Sequence, residues 1–145
     1  MHGLYRWLGA AAAGLTVSTV LAESILALLA FLGAGDHLLW ALTRPTAAAT
    51  SGPAWLAVIW LGAATAGSAL ASAIAGHDSA AIPCGTLPAA SLALVAWYFR
   101  QPGLVTVVLV LGPMLGCLLG MSLGRAVRRR DQRDGLTASP PGAGI

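Results

Sequence analysis

One carboxylic acid stands alone in a long uncharged segment of the sequence. Between Trp7 and Gly35 the only charged residue is Glu23. A carboxyl group in apolar surroundings can bind and release a proton or hold a cation, which makes Glu23 the first candidate for chemistry. Thr19 and Thr16 precede it by four and seven residues, a spacing that places all three on one face of a helix.

A second pattern is a series of glycines at strict four-residue intervals, which we call the glycine ridge: Gly112, Gly116, Gly120 and Gly124. On a helix these residues form one face without side chains, where another helix can approach closely. Two uses are open. The ridge could pack on a helix of the same chain, where small residues recur between Ala64 and Gly76, or it could form an interface between copies.

These features lie in a chain that is too apolar for a water-soluble domain. Of its 145 residues, 57% are hydrophobic and 9% are charged, whereas soluble domains carry roughly 25% charged residues. So few charges cannot cover the surface of a soluble fold of this length. The surrounding solvent is therefore expected to be lipid.

Four apolar segments are long enough to cross a bilayer, a task that takes about 20 residues. They span about 8–34, 53–76, 81–99 and 104–124. Backbone groups in lipid must be satisfied within the segment, and these runs lack the alternation of barrel strands. The sequence predicts an all-α integral membrane bundle of four transmembrane helices over 1–124. A basic and then disordered cytoplasmic tail follows over 125–145.

The start of the chain also fits a cleavable signal peptide. Arg6, an apolar stretch and the small-residue site Val20-Leu21-Ala22 make up that pattern. The apolar run continues through Leu32 without a break, which favours an uncleaved first span. Cleavage would leave three spans, and this alternative stays open.

Arginine asymmetry predicts the orientation. With four spans the two termini share a side, which then holds Arg6 and five tail arginines, against Arg44 and Arg100 on the other side. This distribution favours a multi-pass protein of a bacterial-type inner (plasma) membrane with both termini cytoplasmic. The tail is expected to act as a stop-transfer signal and to attract anionic lipid, at about 1 kcal/mol per residue. The tail arginines are Arg125, Arg128, Arg129, Arg130 and Arg133.

Near mid-span, Glu23 has no arginine at its own depth, so a protonated, neutral carboxyl is expected. The second span offers Thr65 and Ser68 near the midplane, which predicts a polar seam inside the bundle around Glu23. Three interpretations are open. Glu23, Thr19, Thr65 and Ser68 could form a proton or cation site, Glu23 could be an interhelical hydrogen-bond clamp, or the span could be displaced so that Glu23 lies near an interface.

The tripeptide Leu21-Ala22-Glu23, in the first span of a small four-span protein, resembles the small multidrug resistance transporters. In that family a first-span glutamate binds protons and cationic drugs in turn within an antiparallel dimer. The resemblance implies that Glu23 would be this shared site. It covers only the tripeptide and the span count. The long first loop, the arginine tail and the aromatic pattern of the third span depart from the family.

Other function classes lack support in the sequence. No catalytic triad, phosphate loop or zinc signature is present, and we predict no catalytic residue, cofactor or metal. Cys84 and Cys117 are expected to act as small hydrophobic residues. The pairs Asp36-His37 and His77-Asp78 are predicted on opposite membrane faces. The positive charge is confined to the tail, which is a poor pattern for nucleic-acid binding.

The sequence thus predicts a small non-catalytic inner-membrane protein, an accessory, structural or assembly subunit packed through its glycine ridge. Its expected partners are the lipid bilayer and either further copies or a larger membrane complex. The alternative function is a small proton-coupled transporter or channel that uses Glu23.

Overall fold

The computed structural model describes residues 2–33 and 51–137. Within them the chain forms α1 (His2–Phe31), α2 (Ser51–Ala75), a 3₁₀ helix (Asp78–Ala81), α3 (Ile82–Tyr98) and α4 (Gly103–Thr137). Four helices in this described part are long and apolar enough to cross a membrane. The predicted all-α bundle of four membrane-spanning helices is confirmed.

The helix bounds differ from the predicted spans chiefly at the two ends of the chain. α1 begins at His2, six residues before the predicted start. α4 continues beyond Gly124 to Thr137, so residues 125–137 extend the last helix. Residues 138–145 lie outside the described part, and disorder there stays a prediction.

A residue in the left-handed backbone conformation follows three of the helices. Gly33 and Gly76 have φ angles of 78° and 81° after α1 and α2, a conformation that glycine adopts without a steric penalty. The Gly76 N–H donates to the Ser72 carbonyl at 3.1 Å. Arg100, with φ 52°, follows α3, and the next N–H, that of Gln101, donates to the Ala96 carbonyl at 2.9 Å.

α2 is the central helix of the bundle. It lies antiparallel to α1, since Arg6 bonds to the carbonyl of Ile74 while Ala22 packs on Ile59. It lies parallel to α4, because successive ridge glycines contact successive turns of α2 from Ala57 to Ser72. α3 packs antiparallel on α4 along a line that includes Gly85 against Cys117 and Leu92 against Leu109.

The two ends of the bundle differ in polarity. One end holds the start of α1, the connector 76–81 and residues 124–130 of α4, and we call it the terminal end. Three polar side chains, those of Arg6, Trp7 and Arg128, link these segments by hydrogen bonds. We call the opposite end, where α1 ends and α2 begins, the distal end.

Large apolar side chains cover the outer surface of α4. This is the surface expected of a helix whose outer side meets only hydrocarbon, because lipid tails accept Leu as readily as a protein interior does. The exposed residues are Leu104, Val107, Leu111, Met114, Leu115, Leu118, Leu119 and Leu123.

Candidate functional site

Glu23 lies on the outer face of α1, pointing away from the rest of the bundle. α1 packs on α2 through a stripe of small residues at four-residue intervals, namely Ala10, Gly14, Ser18 and Ala22, all of them buried. Glu23 is exposed, and it has no hydrogen bond or ion pair within the described residues. The predicted place of Glu23 at the centre of an internal polar seam was therefore wrong.

The depth of Glu23 also follows from the bounds of α1. It lies eight residues before Phe31, which corresponds to about 12 Å along the helix axis. Its neighbour Ala22 packs with Ile59 and Ala63 in the distal half of α2. Glu23 thus belongs to the candidate membrane span Gly3–Phe31 and lies closer to its distal end.

The other residues of the predicted proton or cation site do not join Glu23. Thr19 and Thr65 are half-buried, and each donates to the carbonyl four residues earlier in its own helix, at 3.0 and 2.7 Å. Ser68 is buried, and its hydroxyl donates to the Ala81 carbonyl at 3.4 Å. These three hydroxyls satisfy backbone groups inside the chain, so the four residues do not form one site.

A buried cluster of hydroxyl and thiol groups lies instead where α1, α2, α3 and α4 converge. Ser68 and Cys117 both donate to the carbonyl of Ala81, the thiol at 3.3 Å. Cys84 is fully buried, and a Cβ built on Gly14 would lie 2.9 Å from its sulfur. Ser18 Oγ is buried without a hydrogen-bond partner among the described residues. The cluster joins helices, as expected for small thiols in apolar surroundings.

An ion-pair cluster closes the terminal end of the bundle. The carboxylate of Asp78 accepts from Arg125 Nε at 2.5 Å and from Arg128 at 2.8 Å. Arg128 also donates to the backbone carbonyl and hydroxyl of Ser72, the latter at 3.2 Å. Asp78 begins the candidate membrane span Asp78–Tyr98, so these ion pairs lie at the end of a membrane-crossing segment. The sequence analysis missed this cluster.

The N-terminal turn of α1 is fastened to the same end. Arg6 donates through Nε and a terminal nitrogen to the Ile74 carbonyl, at 3.0 and 2.9 Å. Trp7 Nε1 donates to the Ser79 hydroxyl at 3.1 Å, and this hydroxyl is 2.9 Å from His77 Nδ1. These contacts explain why α1 extends further toward its N-terminus than hydropathy predicted.

The tail arginines divide into two groups. Arg125 and Arg128 pair with Asp78, whereas Arg129 and Arg130 are exposed. The side chain of Arg133 lies outside the described residues. Contact with anionic lipid stays a prediction for the tail, and Arg129 and Arg130 are the side chains placed for it.

The glycine ridge is occupied within the chain. A Cβ built on Gly112, Gly116 or Gly120 would overlap a backbone carbonyl of α2, that of Ala57, Leu61 or Thr65, respectively. At Gly124 the overlap is with the Ser72 hydroxyl. Of the two open uses, the structure shows packing on a helix of the same chain, so this face is unavailable to a second copy.

The outer face of α1 differs from that of α4. The exposed surface of α1 includes large apolar residues such as Leu21, Leu28 and Phe31. It also carries a line of residues at alternating intervals of four and three that, apart from Val20, are small or polar. All of these α1 residues are exposed except for Ala13, which is half-buried. We call them the α1 seam: Gly9, Ala13, Thr16, Val20, Glu23, Ala27 and Ala30.

The described residues contain no group of three or more His, Cys, Asp or Glu side chains that could hold a metal ion. His77 belongs to the hydrogen-bonded terminal end. The predicted pair Asp36-His37 lies outside the described residues.

Fold and site together define a multi-pass α-helical membrane bundle in which the carboxyl on the outer face of the first helix has no partner among residues 2–33 and 51–137. Comparison of the chain with protein-family models, curated proteins and solved structures gives no match. The resemblance of Leu21-Ala22-Glu23 to the small multidrug resistance transporters is therefore without support from a family match.

Proposed function

We propose that this protein is a non-catalytic subunit of a membrane assembly and that the outer face of α1 is its assembly surface. One observation carries the proposal, namely the exposed position of Glu23 on a helix that is long and apolar enough to cross a membrane. An acid at membrane depth costs roughly 2.5–3.5 kcal/mol when it faces lipid. A neighbouring transmembrane helix that hydrogen-bonds the protonated carboxyl offsets part of that cost, by about 0.6–2 kcal/mol.

The attachment of α1 supports this use. α1 rests on α2 through its buried stripe of small residues, and Gly14 and Gly67 meet there at a close backbone crossing. The opposite side of α1 is left uncovered by the described residues. The most extensive packing among the described helices is that of α2 on α4, where the glycine ridge, acting as a glycine zipper, brings the two backbones close together.

We further propose that the protein resides in a bacterial-type inner membrane with the terminal end cytoplasmic. Arg6 and the tail arginines all belong to that end, while Arg100 belongs to the other. The excess of arginine on one side favours this orientation. It also brings the exposed Arg129 and Arg130 to the leaflet side whose anionic lipids attract basic residues.

Native-membrane extracts test whether the protein is a subunit of a complex or a monomer. Solubilised in mild detergent, the chain should migrate in a complex larger than its own 14.6 kDa would give. Glu23→Leu should dissociate the complex, whereas Glu23→Gln should preserve it because the amide still donates and accepts hydrogen bonds. Leu118→Ala, on the lipid-facing side of α4, is the matched control. A monomeric wild-type chain would refute the proposal.

The transporter alternative has a different signature. Transport through a single chain requires the carboxyl to face a path accessible from both sides, whereas Glu23 is on the outer face of α1. In a reconstituted sample, pH-dependent transport that Glu23→Gln abolishes while the complex stays intact would favour the transporter over the assembly subunit.

A further inference from the structure

We propose that the partner on the α1 seam is a second copy of this chain, packed in parallel with the two Glu23 carboxyls hydrogen-bonded across a two-fold axis. The proposal rests on the assembly function above and names its partner.

The spacing is that of a left-handed helix pair. Seam residues recur at alternating intervals of four and three from Gly9 to Ala30, giving an average period of 3.5 residues. Helices with this period pack against each other along one continuous line by a slight left-handed supercoil. The buried stripe that faces α2 has a different interval, four residues, so the two sides of α1 are built for different neighbours.

The sizes of the seam residues permit a close approach. Gly9 has open space where a Cβ would be, and Ala13, Thr16 and Ala27 are small. Transmembrane helices associate through such residues because their backbones can come into van der Waals contact. The leucines along the outer side of α4 would hold a partner helix further away.

The hydrogen-bonding requirement of the Glu23 carboxyl limits which partner helix can pack on the α1 seam. A partner helix must offer a hydrogen-bonding group at the depth of this carboxyl. A parallel two-fold axis brings each residue opposite its own copy, so a second chain supplies a carboxyl at the required depth. A protonated carboxyl donates to the other carboxyl, which accepts. The shared orientation proposed from the arginines makes the two copies parallel, and a single polar residue in such a seam fixes the register.

Disulfide cross-linking of the purified full-length chain in liposomes tests the pairing. Val20→Cys and Ala27→Cys place thiols on the seam, and Leu28→Cys is the matched control on the same helix. Val20 and Leu28 are 56% and 57% exposed, so they differ in direction and not in accessibility. The variants are made both in the wild-type chain, whose cysteines are buried, and with Cys84→Ala and Cys117→Ala.

Oxidation should give disulfide dimers for both seam variants and monomer for Leu28→Cys. Cross-linking at Val20 alone would indicate an antiparallel pair and overturn the parallel arrangement. Adding Glu23→Leu to the Val20→Cys chain should raise the protein-to-lipid ratio needed for half-maximal cross-linking by about three- to thirty-fold. Glu23→Gln should change it little. An unchanged ratio with Glu23→Leu would overturn the role of the carboxyl.

The second-copy proposal and the assembly function can be refuted independently. If the purified chain stays monomeric in liposomes while native membranes contain a Glu23-dependent complex, the partner is another protein and only the second-copy proposal falls. If the chain is monomeric in both, the assembly function falls as well.

Discussion

Gly116→Ala tests the close contact between α2 and α4, and Gly62→Ala is its matched control. A Cβ at position 116 would overlap the carbonyl oxygen of Leu61, whereas a Cβ at position 62 meets nothing within 4 Å. Both glycines lie inside apolar helices, so the gain of about 0.5–1 kcal/mol expected for replacing a helix-interior glycine by alanine applies to both. The difference in unfolding free energy between the two variants therefore reports on the contact between α2 and α4.

The size of the effect follows from the geometry. Ordinary Cβ contacts are 3.4–4 Å long, so α4 must move away from α2 by about 1 Å, a gap that forfeits a quarter to a half of each pairwise attraction. Overpacking of this kind costs about 1–3 kcal/mol. We therefore expect Gly116→Ala to lower the free energy of unfolding by about 1–3 kcal/mol relative to Gly62→Ala.

The assay is unfolding of the purified chain in mixed micelles of increasing dodecyl sulfate fraction, followed by the fluorescence of its five tryptophans, of which Trp60 packs in the core. Gly124→Ala provides an internal scale. Its overlap is with the Ser72 hydroxyl, a group that can rotate, so the loss should be smaller than for Gly116→Ala. Equal unfolding free energies for Gly116→Ala and Gly62→Ala would refute the close packing of the ridge.

Two further predictions concern the terminal end and the buried thiols. Arg128→Ala should lower the thermal unfolding midpoint in detergent more than Arg129→Ala does. Arg128 bonds to Asp78 and Ser72, whereas Arg129 is exposed. Equal midpoints for the two variants would contradict the ion-pair cluster. The thiols of Cys84 and Cys117 should resist maleimide in the folded protein and react after unfolding, since they are 0% and 6% exposed; rapid labelling of the native chain would show that the helices are not packed as described.

The number and positions of the spans could be predicted from the sequence, whereas the directions of their faces could not. Hydropathy reports whether a segment is in lipid, and both ends of α3 lie within one residue of the predicted bounds. It does not report which side of a helix faces the protein, because lipid and protein interiors are equally apolar. Thr16 and Thr19 favour an inward position for Glu23, but the buried face of α1 is distinguished by small residues and not by polar ones.

A usable signal for that face was present in the sequence. Ala10, Gly14, Ser18 and Ala22 recur at intervals of four, as the ridge glycines do, and this is the stripe on which α1 packs. Reading both series by the same rule places Glu23 on the opposite side. The pairing of Asp78 with Arg125 and Arg128 lacked such a signal, because it depends on which helix ends are neighbours in space.

The parallel contact between α2 and α4 has a consequence for biosynthesis. α2 and α4 are separated in the chain by all of α3, so the ribosome completes α2 well before its main neighbour exists. Until Gly112 to Gly124 have been translated and inserted, the carbonyls of Ala57, Leu61 and Thr65 form a groove that only lipid can fill. Arg128, which reaches Ser72 and Asp78, is translated after the whole ridge. The salt bridge between Arg128 and Asp78 can therefore form only after every helix of the bundle has been translated at least as far as the ridge.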